Sequence, residues 1–262
     1  MNHTSALPAL GRTPAPSRTE PRARLFYMGA AILMVLLVLI GFHDFYLGGG
    51  RAYPGAREIA PPILTLVLVH GFVMAGWVLL YLAQTILITT GQRRVHMAMG
   101  PVAVILAGCI LVAGALLTVE STRLADPASQ LFGMTRKQFM AGGFATLLLF
   151  AGLLGIGLWW RRRPEIHRPM MFLATLSLLD AAIGRIDAVS ALYQGTALER
   201  IFGPSLGMLA VGAALFVLKW WLARKPDWWY LIGYGALVFT KAAWIQVART
   251  SAWDRFASVL LR

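Results

Sequence analysis

The sequence predicts an all-α polytopic membrane bundle of seven transmembrane helices, with its N-terminus in the cytoplasm and its C-terminus outside. Three observations predict it. Of 262 residues, 58% are hydrophobic and only 13% are charged, whereas a soluble domain carries roughly 25% charged residues. Several apolar runs reach the ~18 residues needed to cross a hydrocarbon layer. Lipid offers no hydrogen bonds to an open backbone, and uninterrupted runs of this length lack the alternation of barrel strands, which leaves helices. The net charge of +13 lies between the apolar runs and not on a soluble face, so a nucleic-acid partner is not expected and the bilayer is.

Residues 1–24 are rich in Pro, Ser, Thr and Arg and hold too little apolar surface to fold, so they are expected to form a disordered basic cytoplasmic tail. The first span runs from Leu25 to Phe42 and lacks a convincing small-residue cleavage site, so it is read as retained. Six further spans follow: Pro62 to Thr90, Val95 to Thr118, Gln138 to Trp160, Pro169 to Tyr193, Pro204 to Leu222 and Trp228 to Val247. The transmembrane domain thus covers residues 25–247, with 248–262 as a short outer tail. With the N-terminus inside, the inner segments hold thirteen basic against three acidic residues and the outer segments nine against six. That bias follows the positive-inside rule, and a bacterial inner membrane is the expected location. Trp159, Trp160, Trp220, Trp221, Trp228 and Trp229 fall at the inner ends, where indoles favour the headgroup layer.

Spans two to three and four to five form two loosely similar hairpins. Each inner turn carries clustered Arg and then His-x-x-Met, at His96–Met99 and His167–Met170. Both imidazoles fall near the inner boundary on helices running the same way, so they can meet. Two neutral imidazoles at one height are what ligation of a haem b requires, and Ala98 and Gly100 leave room for a flat macrocycle. The competing reading is contact with phosphates and helix ends, and the same imidazoles also suit copper. Cys109, the lone cysteine, excludes an intrachain disulfide and any multi-cysteine metal site.

Deeper in the bilayer, His70, Met74, Trp77, Tyr81 and Thr85 recur at helical spacing and predict an inward-facing stripe. Asp180 and Lys241 count to similar depths near the midplane, roughly 16 and 18 Å from the inner boundary. With His70 they form a candidate buried polar cluster or proton relay, and a plain structural ion pair is the alternative. Arg185, Asp187, His43 and Met140 lie near the outer edge and are weaker candidates. The many glycines of spans four and six are expected at close helix contacts.

The motifs His70-Gly71, Gly91-Gln92-Arg93-Arg94-Val95-His96 with Gly100, and His167-Arg168-Pro169-Met170 resemble those of a group of bacterial seven-span membrane proteins without an agreed activity. The arrangement is also distantly similar to cytochrome b561-type bundles, which bind two haems through His residues on four consecutive helices. The resemblance implies the seven-span topology and directs attention to His70, His96 and His167. No His lies within the fourth span, so the two-haem version is not carried over. Three functions remain: electron transfer through one haem b at His96 and His167, with a quinone or redox protein as partner; proton-coupled transport at the midplane cluster; and a scaffold or assembly subunit of a membrane complex.

Overall fold

The computed structural model describes residues 19–47, 52–53, 57–58, 61–126, 128–131 and 133–262. Its long helices are α1 (Thr19–Gly41), α3 (Pro61–Thr89), α4 (Arg93–Arg123), α5 (Arg136–Trp159), α10 (Leu206–Ala223) and α11 (Trp228–Ala248). Among the described residues these mark the six regions with the length and apolar composition to cross a membrane. Shorter helices lie between and after them: α2 (His43–Leu47), α6 (Pro164–Ser177), α7 (Asp180–Ile183), α8 (Asp187–Ser190), α9 (Ala197–Phe202) and α12 (Ser251–Leu260). The only strands among the described residues are two two-residue hairpins in loops.

The fifth predicted span is where sequence and structure part. Residues 169–193 do not form one helix. After Ser177 the bonds tighten, with Leu178 donating to Thr175 and Leu179 to Leu176, and Ile186 then turns extended. Beside the break the Thr175 and Ser177 hydroxyls bond back to the carbonyls of Met171 and Ala174, bonds that compete with helix geometry. The fifth predicted span is thus a broken segment at the centre of the bundle, beside six helices long and apolar enough to span a membrane among the described residues. Two tails also change. The predicted disordered region is helical from Thr19 onward, and residues 1–18 lie outside the described residues. The outer tail contains α12, whose start is capped by Thr250 accepting from the Trp253 N–H.

The turns at Gly91–Gln92, Trp160–Arg163 and Arg224–Lys225 share one end of the bundle, called here the arginine end; the opposite is the far end. Hairpins α3–α4 and α5–α6 pack together, and α1, α10 and α11 close around α6. Residues 172–179 of the broken segment are all buried. Phe172 meets Tyr27 and Tyr230 with ring centres 6.0 and 5.4 Å apart, while Trp77 stands edge-on to Phe150 at 5.1 Å. Large apolar side chains such as Phe72, Ile105, Leu148 and Phe239 face outward, and the six tryptophans of the arginine end are exposed around its rim. An apolar belt with an aromatic rim is the surface a bilayer solvates. Of the glycines expected at helix contacts, Gly157, Gly207 and Gly212 pack tightly, whereas Gly152 and Gly155 have nothing within 4 Å of a would-be Cβ.

Candidate functional site

His96 and His167 each sit in the first turn of a helix at the arginine end. Gly91, with φ of +79°, makes the tight turn that starts α4, and Pro164 at the first position of α6 starts the other without wasting an N–H. The two rings meet across the bundle with centres 6.4 Å apart and planes at 81°. His167 Nδ1 lies 2.8 Å from the carbonyl of Gly157. A carbonyl only accepts, so Nδ1 carries the hydrogen and Nε2 of the neutral ring keeps its lone pair, the tautomer that metal-ligating histidines are usually held in. The His96 ring lies in hydrogen-bond reach of the Gln84 backbone, while its Nδ1 is buried without a hydrogen-bond partner among the described residues, a need that a bound group would meet.

The rings stand edge to face at 6.4 Å, close enough that one metal ion could be shared between them. No group of three or more His, Cys, Asp or Glu gathers anywhere among the described residues, so a closed four-ligand zinc site has no ligands to draw on. Gly100, one turn along α4 from His96, has nothing within 4 Å of a would-be Cβ, which leaves open space beside the ring. His96 and His167 would be the residues to hold a metal at this end, and imidazole suits a haem iron and a copper ion alike.

The midplane charges do meet. Lys241 Nζ donates to Asp180 Oδ2 at 2.5 Å and to Thr146 Oγ1 at 2.7 Å, with the lysine side chain 2% and the aspartate 18% exposed. Ser205 Oγ donates to the same carboxylate oxygen at 2.8 Å. Asp180 Oδ1 is buried without a hydrogen-bond partner. The break in the fifth segment places Asp180 at the start of α7, facing α11 and α5. His70 is not part of the hydrogen bonding of this pair: its Nδ1 is buried without a hydrogen-bond partner among the described residues. The reason is depth. α3 is 29 residues long, longer than a bilayer needs, and His70 stands about 28 Å from its arginine end against about 20 Å for Lys241 on α11. Deeper members of the predicted stripe are inward as expected, with Trp77 and Tyr81 buried and Trp77 Nε1 donating to Thr175 Oγ1 at 3.2 Å.

Of the weaker candidates, His43 uses both ring nitrogens locally, on the Ile40 carbonyl and on Asp44. Met140 is buried in packing, Arg185 lies over Phe42, and Asp187 is exposed. One buried charge escaped the sequence reading. Lys219 pairs with Asp227, donates to Tyr27 Oη at 2.5 Å, and lies 4.6 Å from the Tyr27 ring centre. Asp227 also caps α11 by accepting from the Tyr230 N–H at 2.9 Å. Its signal in the sequence was a lysine four residues inside the end of an apolar run, which reads equally as a side chain snorkelling to water.

Compared with known proteins, the chain matches no protein-family model, no curated protein and no solved structure. Its own residues carry the functional reading.

Proposed function

We propose that this is a one-electron redox protein of the lipid bilayer, holding a haem b through His96 and His167, with its arginine end on the cytoplasmic side of a bacterial inner membrane. The observation that carries this reading is the pair of imidazoles that meet from two hairpins with ring centres 6.4 Å apart, one of them fixed by the Gly157 carbonyl with its second nitrogen left free. Bound there, haem b supplies a ferric/ferrous couple. The chain's own residues do the rest. Gly157 orients His167 and strengthens it as a donor. Arg93 and Arg94, which line an open recess of about 560 Å³ beside His96, offer cations to acidic groups at the membrane surface. A quinone within the bilayer or a redox protein at its surface is the partner such a centre serves.

The test is the visible spectrum of the detergent-solubilised protein after haem-replete expression, with iron and copper measured on the same sample. A Soret band that is lost in both His96→Ala and His167→Ala supports the proposal. No band, or one indifferent to both substitutions, refutes it. Stoichiometric copper without a Soret band transfers the site to copper, and the absence of both metals leaves the histidines as surface contacts.

A further inference from the structure

We infer that the groove between α1 and α10 binds one anionic phospholipid of the leaflet at the arginine end, with an acyl chain in the groove and the phosphate at Arg224 and Lys225. The groove is a recess of about 360 Å³ whose lining side chains are apolar throughout. It runs from Leu25 and Leu222 at the arginine end to Leu33 and Leu215 deeper in the bundle. Leu33 follows Leu25 by eight residues, which is about 12 Å along a helix. One leaflet holds about 15 Å of hydrocarbon, so the groove spans most of its depth. Gly29 makes the room: it lines the recess halfway along, and nothing lies within 4 Å of its would-be Cβ. Leu25, Leu33 and Leu218 are exposed, so the recess opens outward onto the apolar belt.

Charge at the mouth decides the occupant. Just past Leu222 the chain leaves α10 through Arg224, whose φ of 57° ends the helix in a left-handed turn, and Lys225 follows. Both are exposed, and neither forms an ion pair among the described residues. The carboxylate nearest in sequence, Asp227, is already held by Lys219. Exposed Trp220 and Trp221 mark the headgroup level on the same helix. Two uncommitted cations at that level, above an apolar slot one leaflet deep, complement an amphiphile that carries a phosphate. Other occupants fit less well. The carbonyls of a quinone would find no polar side chain in the lining. A second copy, related by a two-fold axis along the membrane normal, would set its own Arg224 and Lys225 against these.

The inference is independent of the histidine site, and its readout is lipid retention. The full-length protein is purified in detergent, phosphatidylglycerol or phosphatidylcholine is added, and native mass spectrometry counts the lipids that stay with each chain. One phosphatidylglycerol is expected to be retained about thirtyfold more tightly than phosphatidylcholine, since each cation near the headgroups contributes about fivefold. Arg224→Gln combined with Lys225→Gln alters exposed side chains alone and is expected to abolish that preference. Gly29→Phe fills the slot and is expected to weaken retention of both lipids by about tenfold or more. Equal retention of the two lipids by the wild type, or retention indifferent to both variants, would overturn the inference. So would a quinone, present at one per chain in the purified protein and released by Gly29→Phe, or a lipid-free dimer that Gly29→Phe splits.

Discussion

Neutralising Asp180 and Lys241 singly and together measures what the ion pair does for the fold. In Asp180→Asn the Lys241 ammonium, 2% exposed, loses its counter-charge and retains Thr146. In Lys241→Met the carboxylate loses its cation and retains Ser205. Breaking one side of a buried pair destabilises by about 3–5 kcal/mol, or two to four orders of magnitude in the folding equilibrium, because the remaining charge stays buried. The double substitution removes both charges and strands no hydroxyl. Ser205 can still donate to the asparagine carbonyl, and Thr146 still donates to the Gly142 carbonyl at 2.9 Å. Its cost is therefore expected within about 2 kcal/mol of wild type, giving a coupling energy of at least about 4 kcal/mol. The assay is unfolding in mixed micelles titrated with SDS, followed by circular dichroism on all four proteins. Additive costs, or single substitutions below about 1 kcal/mol as for exposed pairs, would refute the view that this pair is dry and mutually dependent.

Gly41→Ala places a Cβ 2.1 Å from the backbone carbonyl oxygen of Ala182, where neither helix can yield cheaply, so a loss of about 1–3 kcal/mol and a lower melting temperature are expected. Gly152→Ala, with nothing near its would-be Cβ, is expected to be neutral or to stabilise by up to about 1 kcal/mol, read in the same thermal melt. Trp77→Phe removes the indole N–H bond to Thr175 while keeping most of the ring contact with Phe150; the expected cost is about 1 kcal/mol by SDS titration. Lys219→Met strips Asp227 of its cation and Tyr27 of its donor, and it is expected to destabilise by more than Lys219→Met combined with Asp227→Asn, measured in the same micelles.

Apolar run length was enough to place six of the helices, since a segment that must satisfy its backbone in lipid has no alternative to a helix. The meeting of Asp180 with Lys241 was legible for a related reason: charges at that depth have to find each other. Its exact partners were not, because Thr146 and Ser205 are ordinary hydroxyls on segments far apart in sequence. The break after Ser177 was hidden by uniform hydrophobicity; its cues, Thr175 and Ser177 bonding back to carbonyls, are common in unbroken helices too. His70 makes no hydrogen bond to the pair, and its depth in the sequence was counted from one end of a helix 29 residues long. The C-terminal helix did leave a trace, Trp253, Phe256, Ala257 and Leu260 at three- and four-residue spacing, and Trp253 Nε1 now donates to the Lys137 carbonyl at 2.8 Å to dock it on α5.

The two polar sites lie about 15 Å apart along the bundle axis, counting from the helix starts, and what fills the space between them decides whether they communicate. Phe150, Phe172, Leu173, Leu176 and Tyr230 are all wholly enclosed. The polar bonds of this layer are local: Trp77 donates to Thr175, Thr175 back to Met171, and Tyr230 Oη to the Gly212 carbonyl at 2.8 Å. None of them joins the histidines to Asp180. Asp180→Asn is therefore expected to leave any visible band of the histidine site unchanged in position and intensity; a shifted band would mean that the aromatic layer couples the two sites, and the picture of two insulated centres would have to be abandoned.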